Sequence, residues 1–200
     1  LTGRSTVDAQ AIAEASVDNR IIGVQPNEGT PVPALPMAVL YTDRDPRRID
    51  TWQKQIDMKM GLDRYRVDPT TNEIIPGSDG IPEILLHTAA LSDNEEDSAK
   101  ANLLAVDVGN GLKESHVAEQ IKSGWTVNDL RHFGEEFRTD QGPQNLDVDA
   151  AMLGAIQTEF KALVGQTRIC ALYMDHKTTS NTMGHASVIN LVGIRILAIE

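Results

Sequence analysis

The 200 residues carry 18 Lys and Arg against 29 Asp and Glu, a formal net charge of −11, with 40% hydrophobic but only 4% aromatic residues. That length supports one domain built on an aliphatic core. The charge argues against sequence-independent nucleic-acid binding, which needs a positive surface to neutralise phosphates, and against adsorption to anionic lipid headgroups. No apolar run reaches the 18 residues that would span a bilayer.

In chain order, residues 5–19 predict a helix whose Val7, Ala11, Ile12 and Ala15 form a weak, Ala-rich stripe. Residues 1–19 therefore read as an appendage, and residues 20–200 as a single α+β domain. The chain begins without Met, which fits a piece from which a targeting or anchoring segment has been removed. Residues 20–24 suggest a short strand, residues 26–36 a proline-rich connector, and residues 37–41 a buried strand. Asp45-Pro46 then supplies an N-cap and a first-turn proline. Ile49, Trp52, Ile56 and Met60 follow at helical spacing, with Gly61 as the stop, so a helix is expected there.

Residues 62–82, rich in Pro, Gly and Asn, predict a long loop with a small hairpin around Thr70-Thr71-Asn72. Strands are expected over 83–88 and 102–108, separated by an acidic surface loop. A helix over about 113–122 ends at Gly124, and Thr126 with Asp129 makes a capping-box-like start to a shorter one ending at Gly134. The longest helix is expected from Asp147 or Asp149 as cap, through Val148, Met152, Ile156 and Phe160, to Gly165. Two β-rich runs, 168–174 and 187–199, close the chain as a long-looped hairpin or two neighbouring strands. The last is apolar on both alternating faces except at Arg195, which points to a strand covered on both sides. The elements interleave irregularly, which favours a mixed β-sheet with helices mainly on one face; a doubly wound sheet is the alternative.

Chemistry is sparse. The five histidines (His87, His116, His132, His176 and His185) show no helical metal-ligand spacing, and a single cysteine argues against a structural zinc. Cys170, inside a predicted strand, reads as a small buried hydrophobe. Asp93, Glu95, Glu96 and Asp97, like Asp43 and Asp45, offer oxygen ligands for calcium but lack the spacing of a twelve-residue cage. Asp107-Val108-Gly109-Asn110-Gly111 stands between a strand and a helix, where backbone N–H groups can cradle an anion; a tight turn is the simpler reading. No Gly-x-Ser-x-Gly elbow occurs, and nothing favours an enzyme or calls for a cofactor. Arg195, in an otherwise apolar strand, needs a partner if buried, and Asp107 is the expected one.

Several segments resemble one family. They are Val106-Asp107-Val108-Gly109-Asn110, Gln120-Ile121-Lys122-Ser123-Gly124 with Asp129-Leu130, and Val164-Gly165-Gln166-Thr167-Arg168-Ile169. Leu172-Tyr173 and Leu191-Val192-Gly193-Ile194-Arg195-Ile196 follow. Together they are similar to the C-terminal part of TadG-like proteins of the tight-adherence (Flp-type) pilus-assembly machinery. Val32-Pro33-Ala34-Leu35-Pro36-Met37-Ala38 and Asp79-Gly80-Ile81-Pro82-Glu83 fit its middle region. The chain departs from the family at Cys170-Ala171, where a proline is expected, and in the loop from Thr178 to His185. The resemblance implies an N-terminal membrane anchor outside this chain and a periplasmic or cell-surface domain that contacts other pilus or envelope proteins. It implies no cofactor and no catalytic residue. A calcium- or small-ligand-binding module is the second expectation and a hydrolase the third.

Overall fold

The computed structural model describes residues 21–87, 101–149, 152, 157–179 and 183–198. The expected N-terminal helix and the acidic run Asp93, Glu95, Glu96 and Asp97 lie outside the described residues.

The fold is mixed α+β. Its strands are β1 (Gly23–Val24), β2 (Ala34–Leu40), β3 (Tyr65–Val67), β4 (Ile74–Pro76), β5 (Leu103–Val106), β6 (Phe137–Arg138), β7 (Gln144–Asp149), β8 (Thr167–Thr178) and β9 (Met183–Arg195). Among the described residues the α-helices α1 (Glu114–Ser123) and α2 (Gln157–Lys161) accompany them. The mixed sheet closes into a barrel in the order β2–β5–β7–β9–β8. Four of its pairings are antiparallel; β8 meets β2 in parallel and completes the circle. Closure depends on bent strands. The β8–β9 ladder shifts register twice, around Tyr173, and the β2–β8 ladder shifts between Ala34 and Ala38. Such bulges increase local twist and turn corners.

Strand alternation divides the core in two. One cluster gathers Ala38, Leu104, Val148, Ala171, Ala186 and Val188, which come from all five barrel strands and can meet only inside it. So small a barrel has room for Ala and Val more readily than for larger side chains. Trp125, Leu130 and Phe137 extend this cluster beyond the barrel strands, with Trp125 and Phe133 each meeting the Phe137 ring edge to face. The second cluster lies outside, where Leu35, Met37 and Val39 of β2 pack with Val117 and Ile121 of α1 and with Phe160. Val117 and Ile121 are one helical turn apart, so a single stripe of α1 covers the strand. Each fully buried Leu or Val contributes about 2 kcal/mol by removal from water.

Several expectations are corrected. The helix expected from Asp45 is reduced to a π-helical turn, Gln53–Asp57, and Ile49 and Met60 are 61% and 56% exposed. Asp45 does cap, but it closes one turn, accepting from the Arg47 N–H, while the Arg48 N–H bonds the Asp45 carbonyl. Residues 83–87 make only an isolated bridge, Leu62 with Glu83. Asp147 and Asp149 belong to β7, and the residues that would carry the start of the expected longest helix lie outside the described ones; Met152 and Gln157–Lys161 are helical. The last two strands do pair, but along the half beside β7 only one face of β9 is buried, at Ala186 and Val188, while Met183 and His185 are exposed.

Candidate functional site

Asp107 leaves β5 still paired, its N–H donating to the Asp147 carbonyl at 2.8 Å. The chain must then turn into α1, and Asp107 closes that turn with its own side chain. Its Oδ1 accepts from the Gly109 N–H at 2.8 Å and the Gly111 N–H at 3.2 Å. Gly109, Asn110 and Gly111 all take positive φ, of 140°, 70° and 80°. The two N–H groups that an anion would need are already committed to a carboxylate. The tight-turn reading holds.

Behind the turn lies Asp129, 6% exposed, at the start of a 3-10 turn, Asp129–Phe133. Its Oδ1 accepts from Asn110 Nδ2 and Gln120 Nε2, both at 2.9 Å. Its Oδ2 accepts from the Thr126 N–H at 2.7 Å and the Thr126 hydroxyl at 2.6 Å, while the Asp129 N–H returns a bond to Thr126 Oγ1. The expected Thr126–Asp129 capping pair is therefore reciprocal. Burial alone would raise the Asp129 carboxyl, but the bonds from Thr126, Gln120 and Asn110 prevail and hold it below the ordinary carboxylate range. A carboxylate so fully bonded is a structural hub and a poor proton donor.

An open cleft of about 380 Å³ lies beside this turn, walled by Asp107, Asn110, His132, Phe133, Asn145 and Asp147 among others. Its β7 wall continues onto the exposed faces of β7 and β9. There His185 Nδ1 meets Asp147 Oδ1 at 2.6 Å, and the Ser187 hydroxyl donates to Asn145 Oδ1 at 2.6 Å. These two rungs follow from the register, which sets Asp147 opposite His185 and Asn145 opposite Ser187. Among the described residues no group of three or more His, Cys, Asp or Glu could hold a metal ion.

A second polar cluster sits where β2 ends. Arg48 bonds Asp50 Oδ1 at 2.9 Å, Asp43 Oδ2 at 3.2 Å and the Ala101 carbonyl at 2.8 Å, and His87 Nε2 meets Asp50 Oδ2 at 2.8 Å. Burial works to raise the Asp50 carboxyl, but Arg48 and His87 outweigh it and bring it below its usual value. Gln55 and Asn102 both donate to the Asp50 carbonyl, tying the residues after β2 to the start of β5.

The structure separates the expected ion pair. Arg195 is half-exposed at the end of β9 and donates to Asn72 Oδ1 at 2.9 Å, while Asp107 is occupied by its own turn. Asp43 and Asp45 are engaged with Arg48 and Arg47 and form no cage. His176 and His185 fall on adjacent strands, one pair apart in the β8–β9 register. Asn145 and Asp147 escaped notice because Asp147 reads as a helix cap; the polar–apolar alternation of Gln144–Asp149 was the signal.

One surface stands apart. Ile49, Met58, Met60, Leu62, Ile81 and Leu85 are each 49% to 68% exposed. All six lie on the excursion between β2 and β5, whose segments are tied by main-chain and amide bonds: Leu62 bridges Glu83, the Met60 N–H bonds the Lys54 carbonyl, and the Leu85 N–H bonds Gln55 Oε1. No helix among the described residues is long and apolar enough to cross a membrane. Compared with known proteins, the chain matches no family model, no curated protein and no solved structure.

Proposed function

We propose that this chain is a non-enzymatic, extracytoplasmic domain of a membrane-anchored, TadG-like pilus-assembly or envelope protein, and that it works by protein–protein contact. The observation that carries this reading is the number of exposed large apolar side chains on the excursion between β2 and β5. Scattered surface leucines are ordinary, but several gathered on one excursion are the kind of surface that a protein partner covers. Ile81 and Leu85, at 68% and 64% exposure, are its most open members. The excursion is braced as a rigid platform. The Asp63 carboxylate accepts from Ser78, Asp79 and Gly80, and that of Glu83 accepts from the Arg64 and Tyr65 N–H groups. The family resemblance supplies the setting: an anchor upstream and a place beyond the cytoplasmic membrane.

The test is Ile81→Asp combined with Leu85→Asp in the full-length protein, in the cells that make it. Both positions face water, so the melting temperature should hold while surface-appendage assembly is lost. Normal assembly by a stably expressed double variant would remove the reading. Protease added to spheroplasts should degrade the domain; full protection there would overturn the location.

A further inference from the structure

We infer that the cleft between the Asp107 turn and β7 receives an arginine side chain from a protein partner. The argument is a subtraction. Asp107 Oδ1 is used by two turn N–H groups, Asp147 Oδ1 by His185, Asn145 Oδ1 by Ser187, and Asn110 Nδ2 by Asp129. Each of these side chains is thus fixed by one atom and presents the other. What remains is Asp107 Oδ2, Asp147 Oδ2 and Asn110 Oδ1, all acceptors, with Asn145 Nδ2 as the one amide donor beside them.

An acceptor-rich wall bearing two carboxylates selects a donor-rich cation and rejects phosphate or carboxylate ligands. Asp107 and Asp147 are cross-strand neighbours, joined by the Asp107 N–H to Asp147 carbonyl bond. Such neighbours have Cβ atoms about 5 Å apart, a spacing that a planar guanidinium with five N–H donors bridges better than a single ammonium. Phe133 also lines the cleft, and an aromatic ring there can add a cation–π contact. The chain's net charge of −11 would steer a basic partner towards it.

This deepens the protein-contact reading and rests on it, yet its failure would leave that reading intact, because the Ile81–Leu85 surface is tested separately. The experiment is a titration of the isotope-labelled 200-residue chain with the blocked tripeptide Ala-Arg-Ala, its lysine analogue and its citrulline analogue, followed by amide chemical shifts. Saturable shifts confined to the Gly109–Gly111 turn and β7 are expected with arginine. Lysine should bind at least about fivefold more weakly, and citrulline not at all. Asp147→Asn should weaken arginine binding about tenfold, and Asn145→Lys, at an exposed position, should abolish it. Glu73→Gln on the β3–β4 hairpin, with the same change of charge, should leave it unchanged. No saturable shift, equal binding of lysine, or an equal loss from Glu73→Gln would each overturn the assignment.

Discussion

Gly109 is pressed against the main chain of Asp129: a Cβ on Gly109 would overlap the Asp129 carbonyl oxygen, and the residue also holds a φ of 140°. The contact seats the Asp107 turn on the Asp129 hub and so positions one wall of the cleft. Gly109→Ala should therefore cost at least about 2 kcal/mol, strain and displacement combined. Gly111 has a φ of 80° but open space around it, so Gly111→Ala should cost only the left-handed penalty of about 1 kcal/mol. Urea denaturation of the two variants measures the difference. Equal losses would mean that the close approach has no energetic weight.

Acid should unfold the protein through a small set of carboxylates. Asp129 and Asp50 both titrate below their ordinary value in the fold. As pH falls, the unfolded chain therefore takes up their protons first. The stability they contribute is complete above the ordinary carboxylate range and is lost as pH drops through their folded values. Melting temperature should stay level down to about pH 5 and fall below about pH 4. Asp129→Asn should be less stable at neutral pH and show a shallower acid limb; an unchanged limb would remove Asp129 from the account.

Arg48 should be irreplaceable by lysine. It uses its Nε and both terminal nitrogens to reach Asp50, Asp43 and the Ala101 carbonyl at once, and a single ammonium cannot span them. Breaking a fully buried pair costs about 3–5 kcal/mol. Here the carboxylate side chains remain 24% and 22% exposed, and water will recover part of the loss. Arg48→Lys should cost about 2 kcal/mol, read from equilibrium denaturation.

The elements legible in the sequence were those with local chemistry. Gly124 ends α1, Asn72 turns the β3–β4 hairpin with a φ of 59°, and Thr126 and Asp129 cap one another as their spacing announces. Where two periods overlapped, the reading failed. Val148 belongs both to a helical series running to Phe160 and to the two-residue alternation of β7, whose Leu146 and Val148 are buried. The series Ile49, Trp52, Ile56 and Met60 had helical spacing, but Gln55 and Arg48 bond the Asp50 main chain and carboxylate and hold the segment irregular. Barrel closure was not legible at all. The parallel pairing of β2 with β8 joins residues 133 to 135 positions apart and rests on bulges that carry no short signature. The cleft went unseen for the same reason, since Asp107 and Asp147 meet only once β5 and β7 are paired.

Cys170 should be inert in the native protein. It is 1% exposed, on the outer cluster beneath the helices, and burial pushes its thiol up to about 12. Only thiolate reacts, and at neutral pH almost none is present. A disulfide reagent should therefore modify it at the rate of opening or unfolding, and at once in denaturant. Rapid labelling of the folded chain would show that the β8 surface is not covered as described.

Arg195 decides between two accounts of the last strand. If it were the buried partner of a carboxylate, its removal would strand that charge and cost about 3–5 kcal/mol. Instead it reaches Asn72 at 2.9 Å from a half-exposed position, one surface hydrogen bond to an uncharged amide on the β3–β4 hairpin. Bonds of this kind contribute about 1 kcal/mol at most when water can replace them. Arg195→Ala should shift the denaturation midpoint by the equivalent of about 0.5 kcal/mol or less, and Asp107→Ala by more, because the Asp107 carboxylate holds the Gly109 and Gly111 N–H groups. A double-mutant cycle should give a coupling near zero between them. A coupling above about 1 kcal/mol would restore the bridge and with it a strand buried on both faces.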